Sequence, residues 1–125
     1  MPHSTILYAE DDVMLRSAVT ELLEDAGWSV DACPDGNAAM NRIAGGFSYD
    51  LLLFDNELPG ATGVELTRYA RSLPRYRGTP IIVLSAGAHE AEARGAGADE
   101  FLRKPEDVSR LVGVVASLVA AKRGV

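Results

Sequence analysis

Residues 51–54, Leu-Leu-Leu-Phe, form an unbroken apolar run that stops at a carboxylate, Asp55, and is soon followed by Pro59-Gly60. A short continuous apolar run reads as a strand covered on both faces of a parallel sheet. The proline–glycine pair then forbids regular structure. An acidic residue where such a strand ends lies at the rim of the sheet, the edge along which open α/β folds keep their ligands. Alone, Asp55 reads first as a turn or helix-cap residue. Three further strand ends change that reading.

The rest of the chain alternates in the same way. Residues 5–9 form a first strand closed by Glu10-Asp11-Asp12. From Val13 the apolar period becomes helical, with Leu15, Val19, Leu22, Leu23 and Ala26 on one face and Gly27 as the C-terminal stop. A second strand at 29–32, a turn at Pro34-Asp35-Gly36 and a helix over 37–44 precede the central strand. A helix over 63–72 follows it, with Val64, Leu66, Tyr69 and Ala70 apolar. A fourth strand at 81–84 ends in Ser85, and the Gly- and Ala-rich residues 87–97 hold two turns of helix. A fifth strand at 100–103 runs into Lys104-Pro105. The last helix is expected over 106–122, its core face Val108, Leu111, Val112, Val115, Leu118 and Val119. Five β-α units imply a parallel sheet covered by helices on both sides, in one domain over 1–125.

Strands of a parallel sheet share a direction, so Glu10 and Asp11, Asp55, Ser85 and Lys104 fall along one edge. Asp11 and Asp55, with Glu10 behind them, offer hard oxygen ligands suited to Mg²⁺, which binds through one or two carboxylates plus a phosphate oxygen. Lys104 supplies a compact counter-charge for an anion, and Ser85 a hydroxyl for the same anion. Carboxylate, metal, lysine and hydroxyl suit phosphoryl transfer, with Asp55, the central acid, as nucleophile.

The composition agrees. A formal charge of −6 argues against a general binder of nucleic acid or of anionic membranes. Cys33 is the only cysteine, so no internal disulfide forms. The first residues show no basic segment followed by a long apolar one, and the longest nearly apolar stretch, 111–121, is about half the ~20 residues a spanning helix needs. A cytoplasmic protein is expected.

In order along the chain, Ile6-Leu7-Tyr8-Ala9-Glu10-Asp11-Asp12, Leu51-Leu52-Leu53-Phe54-Asp55 with Leu58-Pro59 and Gly63, Ile81-Ile82-Val83-Leu84-Ser85-Ala86, and Gly97-Ala98-Asp99-Glu100-Phe101-Leu102-Arg103-Lys104-Pro105 resemble the motifs of the response-regulator receiver family, CheY-like and over the whole chain. The resemblance implies a flavodoxin-like three-layer αβα sandwich with strand order 2-1-3-4-5. It implies that Asp55 accepts a phosphoryl group from a histidine kinase or phosphotransfer protein. Mg²⁺ (or Mn²⁺) would be held by Asp11, Asp55, the backbone carbonyl of Glu57 and, directly or through water, Glu10. Lys104, Ser85 and Ala86 would hold the phosphoryl oxygens, the Lys104–Pro105 bond would be cis, and Ser85 with Phe101 would form a switch pair. Phe101 on a strand also reads as a plain core residue.

Two departures stand out. The interval from Ser85 to Lys104 is about three residues shorter than the family's usual spacing, which shortens the fourth helix. Glu57, two residues past the nucleophile, can reach the phosphoryl site, and an altered phosphoryl lifetime is expected. Arg68, Arg71, Arg75 and Arg77, with Tyr69 and Tyr76, read as a solvated helix face rather than a nucleic-acid patch. His3 and His89 lack a second ligand at metal spacing, Cys33 reads as a small partly buried thiol, and Trp28 as edge packing. The chain is expected to act as a stand-alone receiver, monomeric or weakly dimeric, that switches contacts with a downstream protein. The rivals are a phosphorylation-independent interaction module and a metal-dependent phosphatase, for which the short loops leave no substrate pocket.

Overall fold

The apolar strands alternate their side chains across the sheet, and that period of two fixes the layers. In a computed structural model describing residues 4–124, β1 (Thr5–Ala9), β2 (Ser29–Cys33), β3 (Leu51–Asp55), β4 (Ile81–Ser85) and β5 (Glu100–Arg103) form one parallel sheet. The order is β2-β1-β3-β4-β5. Leu7, Ala9, Leu52 and Phe54 face one layer, under α2 (Gly36–Ala44) and α3 (Gly63–Ser72). Ile6, Tyr8, Leu51 and Leu53 face the other, under α1 (Val13–Asp25) and α5 (Leu111–Arg123). A smaller cluster of Val64, Val83, Ala93, Ala96, Ala98 and Phe101 seats α4 (Glu90–Ala96). Each fully buried aliphatic or aromatic side chain contributes about 1.5–3 kcal/mol, and every residue of β3 and β4 is buried.

Local signals set most helix starts. Asp12 accepts from Met14 and Leu15 N–H at 2.9 and 3.1 Å, so its carboxylate caps α1. Asp35 caps α2 through Ala38 N–H at 2.7 Å. Thr62 and Glu65 form a reciprocal capping box on α3. Gly63 starts α3 so close to the end of β3 that an added Cβ would lie 2.9 Å from the Asp55 carbonyl oxygen. The fourth helix is short, 7 residues. Among the described residues no helix is long and apolar enough to cross a membrane; Met1–His3 lie outside them, His3 included.

Three expectations need correction. The last helix does not run from 106: a 3-10 turn, Val108–Arg110, precedes α5 at Leu111. The reason is Asp107, whose carboxylate accepts from Arg103 N–H at 2.9 Å while its own N–H donates to Arg103 O at 2.8 Å. A side chain that bonds backward competes with helix initiation. Leu22 is exposed rather than part of the α1 core face. Arg71 and Arg75 are not simply solvated. The Arg71 guanidinium donates to the carbonyls of Tyr76, Thr79 and Gly97 at 2.6, 2.7 and 2.9 Å and pairs with Asp99 at 2.9 Å. Arg75 donates to the carbonyls of Ile43 and Gly45. Arg68 and Arg77 are exposed.

Candidate functional site

The carboxyl-terminal ends of β1, β3, β4 and β5 bring Glu10, Asp11, Asp55, Ser85 and Lys104 to one edge. Glu10 and Asp55 are buried and Asp11 is exposed, and one carboxylate oxygen of each lies within 4.8 Å of the others. Lys104 Nζ stands 2.9 Å from Asp55 Oδ1 and 3.5 Å from Glu10 Oε1. Glu57 N–H also donates to Asp55 Oδ1, at 3.2 Å. Asp55 Oδ2 is buried with no hydrogen-bond partner among the described residues. Two buried carboxylates therefore share one ammonium, and the site is short of positive charge.

The proton affinities of the site follow from that shortage. Burial first, then the adjacent Asp55, pushes the Glu10 carboxyl up to about 7 despite Lys104. Burial pulls the Lys104 ammonium down, but Asp55, Glu10 and Glu57 outweigh it, and the net direction is up. The Glu57 carboxyl is also opposed by burial. The Ser85 hydroxyl, Ala86 N–H, Lys104 and His89 reverse that and hold it below the usual carboxylate range.

Glu57 is placed by the β3–α3 loop. Asn56, buried beside it, donates its N–H to Leu84 O at 2.8 Å and accepts from Val64 N–H at 2.9 Å through Oδ1. The loop is also tied to α2 by Gly36 N–H to Pro59 O at 2.9 Å. From there the Glu57 carboxylate turns toward β4. Oε2 accepts from the Ser85 hydroxyl and Oε1 from Ala86 N–H at 2.9 Å. Phe101 is not at the edge. It sits on β5 two positions before Arg103, the register partner of Ser85, and is buried in the α4 cluster. The Lys104–Pro105 peptide is cis.

Sequence reasoning passed over two contributors. Arg16 on α1 donates to Glu10 O at 2.8 Å and so fixes the β1–α1 turn. Its only sequence signal is a cation near a helix N-terminus, where the dipole disfavours it unless carbonyls receive it. Asn56 is the other, and its buried position follows from Asp55. Cys33 is buried, with its thiol pushed up by burial, and Trp28 packs against the α1/α5 core. His89 faces Glu92 at 3.1 Å.

The model of the response regulator receiver domain matches residues 6–116. This chain belongs to that family. Among similar proteins, the two-component response regulator PhoP of Pseudomonas aeruginosa is 32% identical over 122 residues, covering 95% of this receiver and 53% of PhoP. The transcriptional activator protein PfeR of the same organism is 35% identical over 114 residues, covering 89% and 36%. The chain thus spans about half or less of these curated relatives. A CheY-like receiver domain protein from Methanospirillum hungatei superposes with a TM-score of 0.89 at 25% identity, covering 98% of each chain. The receiver domain of a sensor histidine kinase from P. aeruginosa PAO1 gives 0.86 at 26% identity, covering 95% of this receiver and 99% of that one. That structure is described with a magnesium ion coordinated in its active-site cleft.

Proposed function

We propose that this two-component receiver accepts a phosphoryl group on Asp55 from a histidine kinase or histidine phosphotransfer protein. The observation that carries the reading is Asp55 itself: buried at the end of β3, 2.9 Å from Lys104, with Glu10 and Asp11 within 4.8 Å. The donor set fits Mg²⁺ or Mn²⁺, because the unpartnered Asp55 Oδ2 and the excess of buried negative charge both call for a cation. Glu10, Asp11, Asp55 and the backbone carbonyl of Glu57 would hold it. When bound, such an ion offsets the charge of the carboxylates and of the incoming phosphoryl group.

The chain's own residues do the rest. An Asp55 carboxylate oxygen attacks phosphorus and forms an acyl phosphate. The P–N bond of the donor breaks, and its electron pair returns to the imidazole. Lys104, held as an ammonium, grips a phosphoryl oxygen, and Ser85 and Ala86 donate to the others. Hydrolysis reverses the state: water attacks phosphorus, the P–O bond breaks and the Asp55 carboxylate returns. The chain so acts only on its own side chain, and the output is a change in contacts with a downstream protein rather than with nucleic acid. This reading carries with it a cytoplasmic location and a monomer or weak homodimer as the acting species.

Intact mass after incubation with Mg²⁺ and acetyl phosphate tests it. One added phosphoryl group, absent in Asp55→Asn and absent without Mg²⁺, is expected. No added mass under any condition overturns the reading and leaves a phosphorylation-independent interaction module.

A further inference from the structure

Glu57 is exposed at the edge of the sheet, yet both its carboxylate oxygens are engaged by donors from the end of β4. Ser85 is fully buried and has one hydroxyl proton, which it gives to Glu57 while accepting from Gly87 N–H at 3.0 Å. Ala86 gives its N–H to the other oxygen at 2.9 Å. The His89 ring lies over the turn: a Cβ on Gly87 would lie 2.7 Å from His89 Nε2 and 3.7 Å from Ser85 Oγ. His89 and Lys104 both favour an anion at this position. On the phosphoacceptor reading of Asp55, on which this inference rests, Ser85 and Ala86 are the donors a phosphoryl group needs.

We propose that the Glu57 carboxylate is a built-in occupant of the phosphoryl-oxygen site, holding the Ser85 hydroxyl and the Ala86 N–H until a phosphoryl group on Asp55 displaces it. One hydroxyl proton and one N–H cannot serve two anions at once, and two anions at this distance repel. Modification therefore exchanges one anion for another at the same donors. It does not create a pull on Ser85 where none existed. Ser85 is already drawn to an anion in the unmodified chain, and Phe101 is already 6% exposed beneath α4. Glu57 so sets the threshold for phosphorylation and keeps the switch residues engaged before it.

The test uses beryllofluoride, a non-covalent phosphoryl analogue, titrated with Mg²⁺ into the full chain and into Glu57→Ala and Glu57→Gln, with backbone amide spectra recorded throughout. Glu57→Ala is expected to bind beryllofluoride about tenfold more tightly, because no charge-assisted contacts must first be broken. Glu57→Gln is expected between the two. Without analogue, the Ala86 amide resonance of Glu57→Ala should lose its hydrogen-bonded shift and regain it on beryllofluoride binding. Mg²⁺ affinity without beryllofluoride is expected to fall in Glu57→Ala, because a negative charge leaves the neighbourhood of the ion, so its change runs opposite to that of the analogue. Equal or weaker beryllofluoride binding by Glu57→Ala overturns the proposal, as does a Mg²⁺ affinity that rises as much as the analogue's. If none of the three proteins binds beryllofluoride and acetyl phosphate leaves Asp55 unmodified, the phosphoacceptor reading fails and takes this proposal with it. Equal binding removes only the role of Glu57.

Discussion

Glu10 and Asp55 put two carboxylates in a space that water barely reaches, and Lys104 can neutralise only one of them. The carboxyl of Glu10, raised from 4.5 to about 7, absorbs the imbalance by holding its proton. The sign follows from the direction. The protonated form is the one the fold prefers, so its stabilisation is complete below about pH 4.5 and is lost as pH rises through about 7. Metal-free protein should therefore lose stability from about pH 5 to pH 8.5, by on the order of 2–3 kcal/mol. Glu10→Gln, which cannot ionise, should not show that loss. Thermal unfolding in chelator across this range checks it, and parallel curves for the two proteins would sink the idea. Added Mg²⁺ should restore wild-type stability at the alkaline end, because a ligand of the folded state shifts the equilibrium toward it.

At the scale of elements, Arg71 on α3 does for the backbone what a core residue does for side chains. Its guanidinium ties the carbonyls of Tyr76, Thr79 and Gly97, and so joins α3, the approach to β4 and the end of α4. Arg71→Ala should cost about 2–4 kcal/mol in urea unfolding, since several carbonyls lose a charged donor together. Arg71→Lys should recover only part of it, for an ammonium lacks the fork that reaches them all. A loss below about 0.5 kcal/mol would return Arg71 to the solvated face that its sequence suggests. That contrast shows what a sequence can carry. The strands and α3 are legible because each is set by its own residues: the apolar run of β3, the apolar spacing of α3, the polar stops after four of the five strands. The assembly of Glu10, Asp11, Asp55, Ser85 and Lys104 is legible because parallel strands must end together. Arg71 and Arg75 are not, because the carbonyls they bind belong to segments 26 and 32 positions away for Gly97 and Ile43. The late start of α5 is hidden for a related reason, the choice Asp107 makes between capping forward and bonding back. The direction of the Glu57 side chain likewise depends on where the β4–α4 turn presents Ser85 and Ala86.

For the whole molecule, the strand order sets which layer can feel the site. β1 and β3, carrying the acids, are interior strands, whereas β5 is an edge strand covered on one face by the small residues Ala93 and Ala96 of α4. A helix of 7 residues that buries alanines removes little apolar surface from water, so it is held weakly compared with α1 or α5. Phe101 is the large side chain beneath it, on the strand that leads to Lys104. A route by which a change of anion at Ser85 on β4 would reach α4 runs through the neighbouring strand β5, where Phe101, the register partner of Val83, would pass it on. Phe101→Leu keeps most of the volume and should fold, whereas Phe101→Ala should lose about 3–5 kcal/mol. Both should still accept a phosphoryl group on Asp55, since neither touches the edge. The amide shift changes that beryllofluoride produces in residues 90–98 should shrink in Phe101→Leu relative to the native chain. If they are as large as in the native chain, Phe101 is a packing residue only and the signal to α4 travels through the Gly87–His89 turn instead.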